Sequence, residues 1–367
     1  MEDEGRQVED GIALCLSGGG YRAMVFHVGA LWRLNELGLL HRIARFSSVS
    51  GGSITAATLG LHWGELDFDA AGVARGFQAG LVTPIRSLAS VTMDFGAIVG
   101  GLLWGGISAR VQAVYRKHLF GDATLQDLPD SPRFVINATS LQSKVLWRFS
   151  KPYMADWRVG KVMKPRVPLA VAVGASSAFP PFLSPVRLKL RHEDFEPGSG
   201  ADLQRPPFTT DVYLTDGGVY DNLGLETAWK RYGTVLVSDG GGDTPVDPVP
   251  ARDWAKHTYR VLNVIDNQVG SLRKRQIVDG FQTGLRKGAY WSLRTDIQAL
   301  GPAQPLPCEG RDCAELAATP TRLQAMAPRL QERLVNWGYA ACDATIRSRG
   351  LAGNSPEARF PYPGGVA

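Results

Sequence analysis

A strand that leads directly into a glycine turn and a helix occurs twice near the start of the chain, and this unit most constrains the fold. The apolar run 12–17 is typical of a buried strand, and three consecutive glycines, residues 18–20, follow it. Apolar residues then recur at helical spacing until Gly38, where a helix would end. A second apolar run, residues 43–49, leads into Ser50 and a glycine pair. The repeat predicts parallel strands whose carboxyl ends share one edge of a sheet.

Further short apolar runs continue this pattern along the chain. We predict strands at residues 134–138, 169–173, 212–214, 234–237 and 260–264. The chain has 367 residues, of which 44% are hydrophobic and 20% charged, so it can bury a large core. The alternation of strands with helical segments predicts an α/β fold, a three-layer αβα sandwich with a mostly parallel central sheet.

The composition argues against several protein classes. Residues 1–10 are acidic and polar and lack the basic start and apolar run of a secretory signal. Four cysteines are too few for a disulfide framework in a chain of this length, so we expect a cytoplasmic protein; pairing of Cys308 with Cys313 is the alternative. No C-x-x-C or H-E-x-x-H spacing occurs, and we therefore predict no metal and no cofactor.

The glycine turn at residues 18–20 predicts an anion site. Residues without side chains at a strand end let several backbone N–H groups converge on one phosphate or one oxyanion. Residues 18–23 also fit the G-x-G-x-x-A fingerprint of a dinucleotide-binding module, which needs an acidic residue about 20 positions later. Ser48, Val49 and Ser50 stand there instead. The nucleotide-binding interpretation therefore lacks its second anchor.

Ser50 has the surroundings of a nucleophile. A serine between strand and helix, flanked by small residues, can adopt the strained backbone of a nucleophile elbow. Gly51 and Gly52 follow it, whereas Ser48 replaces the first glycine of the usual G-x-S-x-G pattern. The alternative is a turn of small residues with an N-cap serine.

Three blocks of the sequence together resemble the patatin-like phospholipase family. They are residues 18–22, the Ser50 elbow and residues 216–222, in the order of the family. Residues 174–182 resemble a further family segment, so the likeness covers about residues 12–226. Ser17 stands where the family often has aspartate, and Ala23 where it often has glycine.

The resemblance implies a serine acyl hydrolase that cleaves carboxylic esters of lipids or phospholipids through an acyl-enzyme. Ser50 would be the nucleophile and Asp216 its base, in a Ser-Asp dyad with Gly18, Gly19 and Gly20 as the oxyanion hole. An ordinary aspartate has a pKa of about 3.9 and is a poor base for a hydroxyl. Asp216 should therefore lie in a partly desolvated site that raises its pKa.

Two residues compete for parts of this role. Asp239 also follows a predicted strand and precedes two glycines, but Asn222 completes the family block at Asp216. His257 would give the order Ser, Asp, His of an ordinary α/β-hydrolase esterase. A non-catalytic protein with the patatin fold is the remaining alternative.

Arg22 and Gly51 are the expected substrate-binding residues. Arg22 would lie in the first turn of a helix, where a cation needs an anion, either a lipid phosphate or a structural aspartate. Basic and aromatic residues alternate within 273–294, which suits either a membrane interface or an exposed helix face. We expect a lipid partner and peripheral membrane contact, and no nucleic acid.

The changes in composition along the chain, together with the resemblance, predict a domain plan. Residues 1–300 would form one patatin-like catalytic domain, with a helical cap inserted at about 64–132 and a surface loop at about 191–210. Residues 301–367 would be a helical extension, with a helix at 321–348, and a flexible tail packed on the same domain. The apolar run 93–104 is too short to span a bilayer and would be a lid over the site or a buried helix pair.

Overall fold

The structure, a computed structural model, describes residues 8–93, 106–242, 246–301, 305–308, 310–353 and 356–367, with residues 310–313 as backbone alone. Residues 94–104 of the predicted lid and the side chain of Cys313 lie outside the described residues. The lid and the cysteine pair therefore stay predictions.

One mixed sheet contains all the strands of the described residues. They are β1 Glu9–Leu16, β2 Ile43–Val49, β3 Arg133–Ser140, β4 Leu146–Phe149, β5 Tyr153–Asp156, β6 Gly160–Met163, β7 Val186–Lys189, β8 Asp211–Asp216, β9 Tyr232–Asp239 and β10 Lys287–Ser292. The order is β10-β9-β1-β2-β3-β4-β5-β6, and β8 pairs with both β3 and β7. Neighbours from β10 to β3 are parallel, whereas β4 to β6 and the pair β7 and β8 add antiparallel strands.

Helices cover both faces of this sheet. They are α1 Gly20–Glu36, α2 Gly51–Leu61, α3 Thr83–Ala89, α4 Gly106–Tyr115, α5 Leu169–Ser176, α6 Gly218–Asp221, α7 Glu226–Trp229, α8 Trp254–Gln282, α9 Ile297–Leu300, α10 Gly310–Ala317 and α11 Pro328–Ser348. Single π-helical turns at Gln78–Val82 and Arg116–Phe120 adjoin α3 and α4. No helix within the described ranges combines the length and the apolar character needed to cross a membrane.

Strand β1 shows how the layers are built. Its side chains alternate between the two faces of the sheet, as a strand requires. Leu14 and Leu16 join the larger core cluster, with α1, α2 and α11. Ala13 and Cys15 join a second cluster on the opposite face. The predicted three-layer α/β fold with a mostly parallel sheet is confirmed, and the antiparallel strands beyond β3 are an addition to it.

Two predicted strands are wrong. Residues 169–173 lie in helix α5, and residues 260–264 lie in helix α8. Short apolar runs do not distinguish a strand from a helix by periodicity, and the Ala-Val alternation of α5 is buried on all sides. The predicted C-terminal helix begins at Pro328 rather than at residue 321, because proline suits the first helical turn.

Helix α11 packs closely on α1. A Cβ atom at Gly29 would lie 1.9 Å from the Val335 carbonyl oxygen, and one at Gly338 would lie 2.0 Å from that of Phe26. Two glycines therefore let the two backbones touch. The buried Arg33 guanidinium, 2.8 Å from the Asp343 carboxylate, joins the same two helices.

Candidate active site

Strand β3 brings Ser50 and Asp216 together. Val49, at the end of β2, pairs with Asn137 of β3, while Asp216, at the end of β8, pairs with the next residue, Ala138. Strand β8 therefore continues along β3 from the point where β2 stops. The residue after Val49 is Ser50, and its side chain lies close enough to the Asp216 carboxylate to affect the pKa of that carboxyl.

The Ser50 backbone is strained in the way the elbow predicts. Its φ of 51° and ψ of −120° are rarely adopted by a residue with a side chain. The Ser50 N–H donates to the Ser176 hydroxyl at 3.0 Å, and that hydroxyl donates to the Asn137 carbonyl at 2.6 Å. Helix α5 and strand β3 thus hold the elbow in place. Ser50 is buried, and 8% of its surface remains accessible to solvent.

The neighbouring serines are bonded elsewhere. The Ser47 hydroxyl donates to the Gly224 carbonyl at 2.5 Å, and the Ser48 hydroxyl donates to the Val135 carbonyl at 3.2 Å. The Ser53 hydroxyl lies 3.0 Å from that of Ser48 and 2.9 Å from that of Ser176. These three serines support the turn, and Ser50 is the serine that contacts Asp216.

Asp216 has the raised pKa that a base in this position needs. Burial, at 2% exposure, raises its pKa to about 7, and the nearby negative charge of Asp266 adds to the rise. The Gly218 N–H, which donates to Asp216 Oδ1 at 2.7 Å, and the Ser50 hydroxyl act in the opposite direction. The carboxylate is therefore oriented by the following turn and poorly solvated.

The glycine loop lies beside the elbow. A Cβ atom at Gly18 would lie 2.3 Å from Asn222 Oδ1 and 3.1 Å from the Ser50 Cβ, so only glycine fits there. The Gly18 N–H donates to the Asn222 carbonyl at 3.0 Å. Gly19 and Gly20 have φ values of 141° and 60°, and their N–H groups have no acceptor among the described residues. Of the three predicted oxyanion donors, the Gly18 N–H is therefore used by the protein, and the N–H groups of Gly19 and Gly20 have no protein acceptor in the part of the chain that the structure describes.

A buried histidine fixes the start of the glycine loop. His27 Nε2 donates to the Ser17 carbonyl at 2.9 Å, so its Nδ1 accepts from the Ser238 hydroxyl at 2.8 Å. Burial lowers the His27 pKa to about 4, and the ring stays neutral. The Ser17 hydroxyl accepts the Gly240 N–H at 2.8 Å and links the loop to the end of β9.

Arg22 is buried next to the glycine loop, and its guanidinium bonds to protein oxygens. Its guanidinium donates to the carbonyls of Gly240 and Thr319 and, at 2.8 Å, to the Thr321 hydroxyl. Burial lowers its pKa to about 10, while the Asp239 carboxylate raises it. Arg22 therefore connects α1 to residues 319–321 through bonds to protein oxygens, and its predicted role in substrate binding stays a prediction.

The two competing residues lie elsewhere. The Asp239 carboxylate binds Lys274 Nζ at 3.0 Å and the Tyr290 hydroxyl at 2.7 Å, and the lysine contributes to a lowered pKa. His257 is exposed near the start of α8. Within the described part of the chain, the Ser50 side chain contacts an aspartate and no histidine.

The part of the sequence that forms this site matches a model of a known protein family. The sequence matches the model described as patatin-like phospholipase over residues 14–229, more than half of the chain. The chain belongs to the patatin-like phospholipase family. The match spans β1 to α7 and includes the glycine loop, the elbow and Asp216. Membership supports a lipid hydrolase. A search of curated proteins gave no match.

Structures of one human enzyme show the same patatin fold at low sequence identity. Human GIVD cytosolic phospholipase A2 has 16% identity and a TM-score of 0.53, covering 93% of this chain. The complex of the same enzyme with methyl γ-linolenyl fluorophosphonate has 14% sequence identity and a TM-score of 0.50, and the match covers 96% of this chain. VipD from Legionella pneumophila has 15% sequence identity and a TM-score of 0.36, and the match covers 95% of this chain and 67% of VipD. The chain spans only 60% of the human enzyme's length in both comparisons.

The residues that support the dyad were not predicted from the sequence. Ser176 and Asn137 hold the elbow, and the Asn222 main chain takes the Gly18 amide. Residues 174–182 were a family-like segment in the sequence, which was the available signal for Ser176. Nothing in the local sequence distinguishes Asn137 from other polar residues in strands.

Proposed function

We propose that this chain is a serine acyl hydrolase that cleaves carboxylic ester bonds of lipids through a Ser50–Asp216 dyad. The observation that carries the proposal is the proximity of a strained serine at a strand end to a buried aspartate with a pKa of about 7. That pKa allows the carboxylate to take a proton near neutral pH. No imidazole is needed between the two groups.

The reaction proceeds in two steps. The Ser50 oxygen attacks the ester carbonyl carbon while its proton moves to Asp216, and the N–H groups of Gly19 and Gly20 bind the resulting oxyanion. The ester C–O bond then breaks, and the leaving alkoxide takes the proton from Asp216. Water attacks the acyl-enzyme, gives its proton to Asp216 and releases the fatty acid. The proton returns to Ser50.

Three observations support a lipid as the acyl donor. Family membership favours lipid esters. The apolar side chains of Phe179, Phe182 and Val219 are exposed near Asp216, where an acyl chain would approach. The fold relative crystallised with a γ-linolenyl fluorophosphonate suggests the same class of ligand. We expect the protein to act in the cytoplasm at a membrane surface, and the phospholipid head group is part of this proposal.

Turnover of a soluble short-chain chromogenic ester tests the dyad. We expect Ser50→Ala and Asp216→Asn each to lower kcat/KM by at least about 1,000-fold, because both groups act as one unit. His257→Ala, at an exposed position, serves as the control and should retain activity. Circular dichroism establishes that each variant is folded.

Three results would contradict the assignment. Full turnover by Ser50→Ala would remove the nucleophile. Retained activity in Asp216→Asn with loss in Asp239→Asn would move the base to the end of β9. Loss in His257→Ala would favour the Ser-His-Asp esterase instead.

A further inference from the structure

The first half of helix α8 leaves most of its side chains exposed to solvent. Among residues 254–268, all side chains are exposed except those of Arg260 and Asn263, which are partly covered. The buried positions of this 29-residue helix, Ile277 and Gly280, both lie near its end. A helix at a protein surface normally buries its apolar side, so the exposed half needs an explanation.

Large apolar residues recur along that half at helical spacing. Trp254, Val261, Ile265 and Leu272 follow one another after seven, four and seven residues, and so line one side of the helix. Their exposures are 83%, 42%, 55% and 53%. We call these four residues the α8 stripe. A contiguous exposed apolar surface of this kind marks an interaction site.

The stripe lies on a helix that reaches the proposed site. Helix α8 contacts α6, which begins two residues after Asp216. The ring of Tyr259 on α8 lies 6.4 Å from that of Phe182, which is 67% exposed. Helix α8 therefore lies beside the proposed site, and a partner docked on the α8 stripe would be close to it.

The charge around the stripe favours an anionic partner. Residues 252–287 contain eight lysines and arginines against three aspartates, an excess equal to the +5 formal charge of the whole chain. Lys274 and Arg273 bind buried carboxylates, whereas Arg252 and Arg275 are exposed. Lys256 is exposed too and pairs with the Asp253 carboxylate at 3.7 Å. Basic residues beside an exposed apolar stripe with tryptophan are typical of a helix that lies in a membrane interface.

We propose that the α8 stripe docks on an anionic lipid surface and so brings the Ser50–Asp216 site to its substrate. The inference rests on the proposed lipid hydrolase function. A second copy of this chain fits less well, because a two-fold interface would place the same basic segment against itself. A lipid bilayer satisfies the apolar stripe and the flanking cations together.

Vesicle co-sedimentation tests the docking with the full chain. The probes are vesicles of phosphatidylcholine alone and of an equimolar mixture of phosphatidylcholine and phosphatidylserine. We expect Ile265→Gln combined with Leu272→Gln to weaken binding to the mixed vesicles by at least about 30-fold, because two apolar side chains no longer enter the interface. Arg275→Gln should weaken binding to the mixed vesicles by about 5-fold and leave neutral vesicles unaffected.

A matched control uses exposed apolar residues far from α8. Leu141→Gln combined with Met163→Gln makes the same chemical change at side chains of similar exposure, and Met163 ends β6, at the opposite end of the sheet from β10. This control should bind vesicles like the wild type. All variants should hydrolyse the soluble ester at the wild-type rate, which shows that they are folded.

The outcomes separate docking from chemistry. Ser50→Ala should bind vesicles normally and hydrolyse nothing; normal binding of the wild type without any ester turnover would support docking while refuting the hydrolase. Wild-type vesicle binding by the α8 double variant would overturn the docking. Sedimentation equilibrium showing a dimer that the α8 variant dissociates, with no change in vesicle binding, would assign the stripe to a second copy and also overturn it.

Discussion

At the scale of single residues, the Asp216 carboxyl determines how the proposed reaction depends on pH. Only the ionised carboxylate can take the Ser50 proton, and burial raises its pKa to about 7. We predict that kcat/KM for a soluble ester rises with pH, reaches half its maximum near pH 7 and levels off above about pH 8. A pH-rate profile measures this directly. A flat profile between about pH 5 and 9 would contradict the role of Asp216.

The neighbouring charge of Asp266 provides an internal check on that profile. Asp266 raises the Asp216 pKa because two negative charges disfavour each other. Asp266→Asn should therefore move the midpoint of the profile to lower pH without abolishing turnover. An unchanged midpoint would mean that Asp266 does not influence the base.

The same carboxyl should lower the stability of the protein at alkaline pH. An acid with a raised pKa in the folded state binds its proton more tightly there than in the unfolded chain. Folding therefore loses stability as the pH rises from about 4 to about 7, by a few kcal/mol for this pKa. We predict that Asp216→Asn raises Tm by roughly 5 °C or more at pH 8.

Thermal unfolding at two pH values isolates this effect. The gain in Tm should shrink toward zero below about pH 3, where Asp216 is protonated in both states and resembles asparagine. A variant that is less stable than the wild type at pH 8 would contradict the buried, poorly solvated carboxylate.

At the scale of elements, the contact between the two glycine turns sets the geometry of the site. A Cβ atom at Gly51 would lie 2.2 Å from the Gly20 carbonyl oxygen and 3.1 Å from the Gly20 nitrogen. Gly51→Ala must therefore push the glycine loop away from the elbow. We predict a loss of at least about 100-fold in kcat/KM and about 1–3 kcal/mol in the free energy of unfolding.

A second glycine gives the control for this substitution. A Cβ atom at Gly64, in the turn after α2, would meet nothing within 4 Å. Gly64→Ala should leave both activity and stability close to the wild type. If Gly51→Ala behaved like Gly64→Ala, the two turns would not form one site.

Element types were predictable where a pattern was long or repeated. The two units of strand, glycine turn and helix were correct, because a strand pattern changes to helical spacing at a glycine turn in each. The strand predicted at residues 260–264 was wrong, because five residues of a 29-residue helix look like a strand when they are read alone. Their exposure to solvent depends on the tertiary fold, which sequence periodicity does not report.

At the scale of the whole molecule, the order of the strands carries information that the sequence lacks. The pairing of β8 with β3, directly beyond the end of β2, brings Ser50 and Asp216 together across 166 positions of the chain. Family-like blocks indicated which residues should meet. They could not indicate that the Asn222 carbonyl takes the Gly18 amide, because that contact depends on the path of the chain after β8.

The assignment of Ser50 as the nucleophile is tested most directly by locating the adduct that a long-chain alkyl fluorophosphonate forms with the protein. Proteolysis after arginine releases residues 46–75, which contain Ser50, and mass spectrometry identifies the modified side chain. We predict one adduct, on Ser50. It should form at least about 100-fold more slowly in Asp216→Asn, because the hydroxyl is no longer activated. An adduct on another residue, or an unchanged rate in Asp216→Asn, would contradict this assignment.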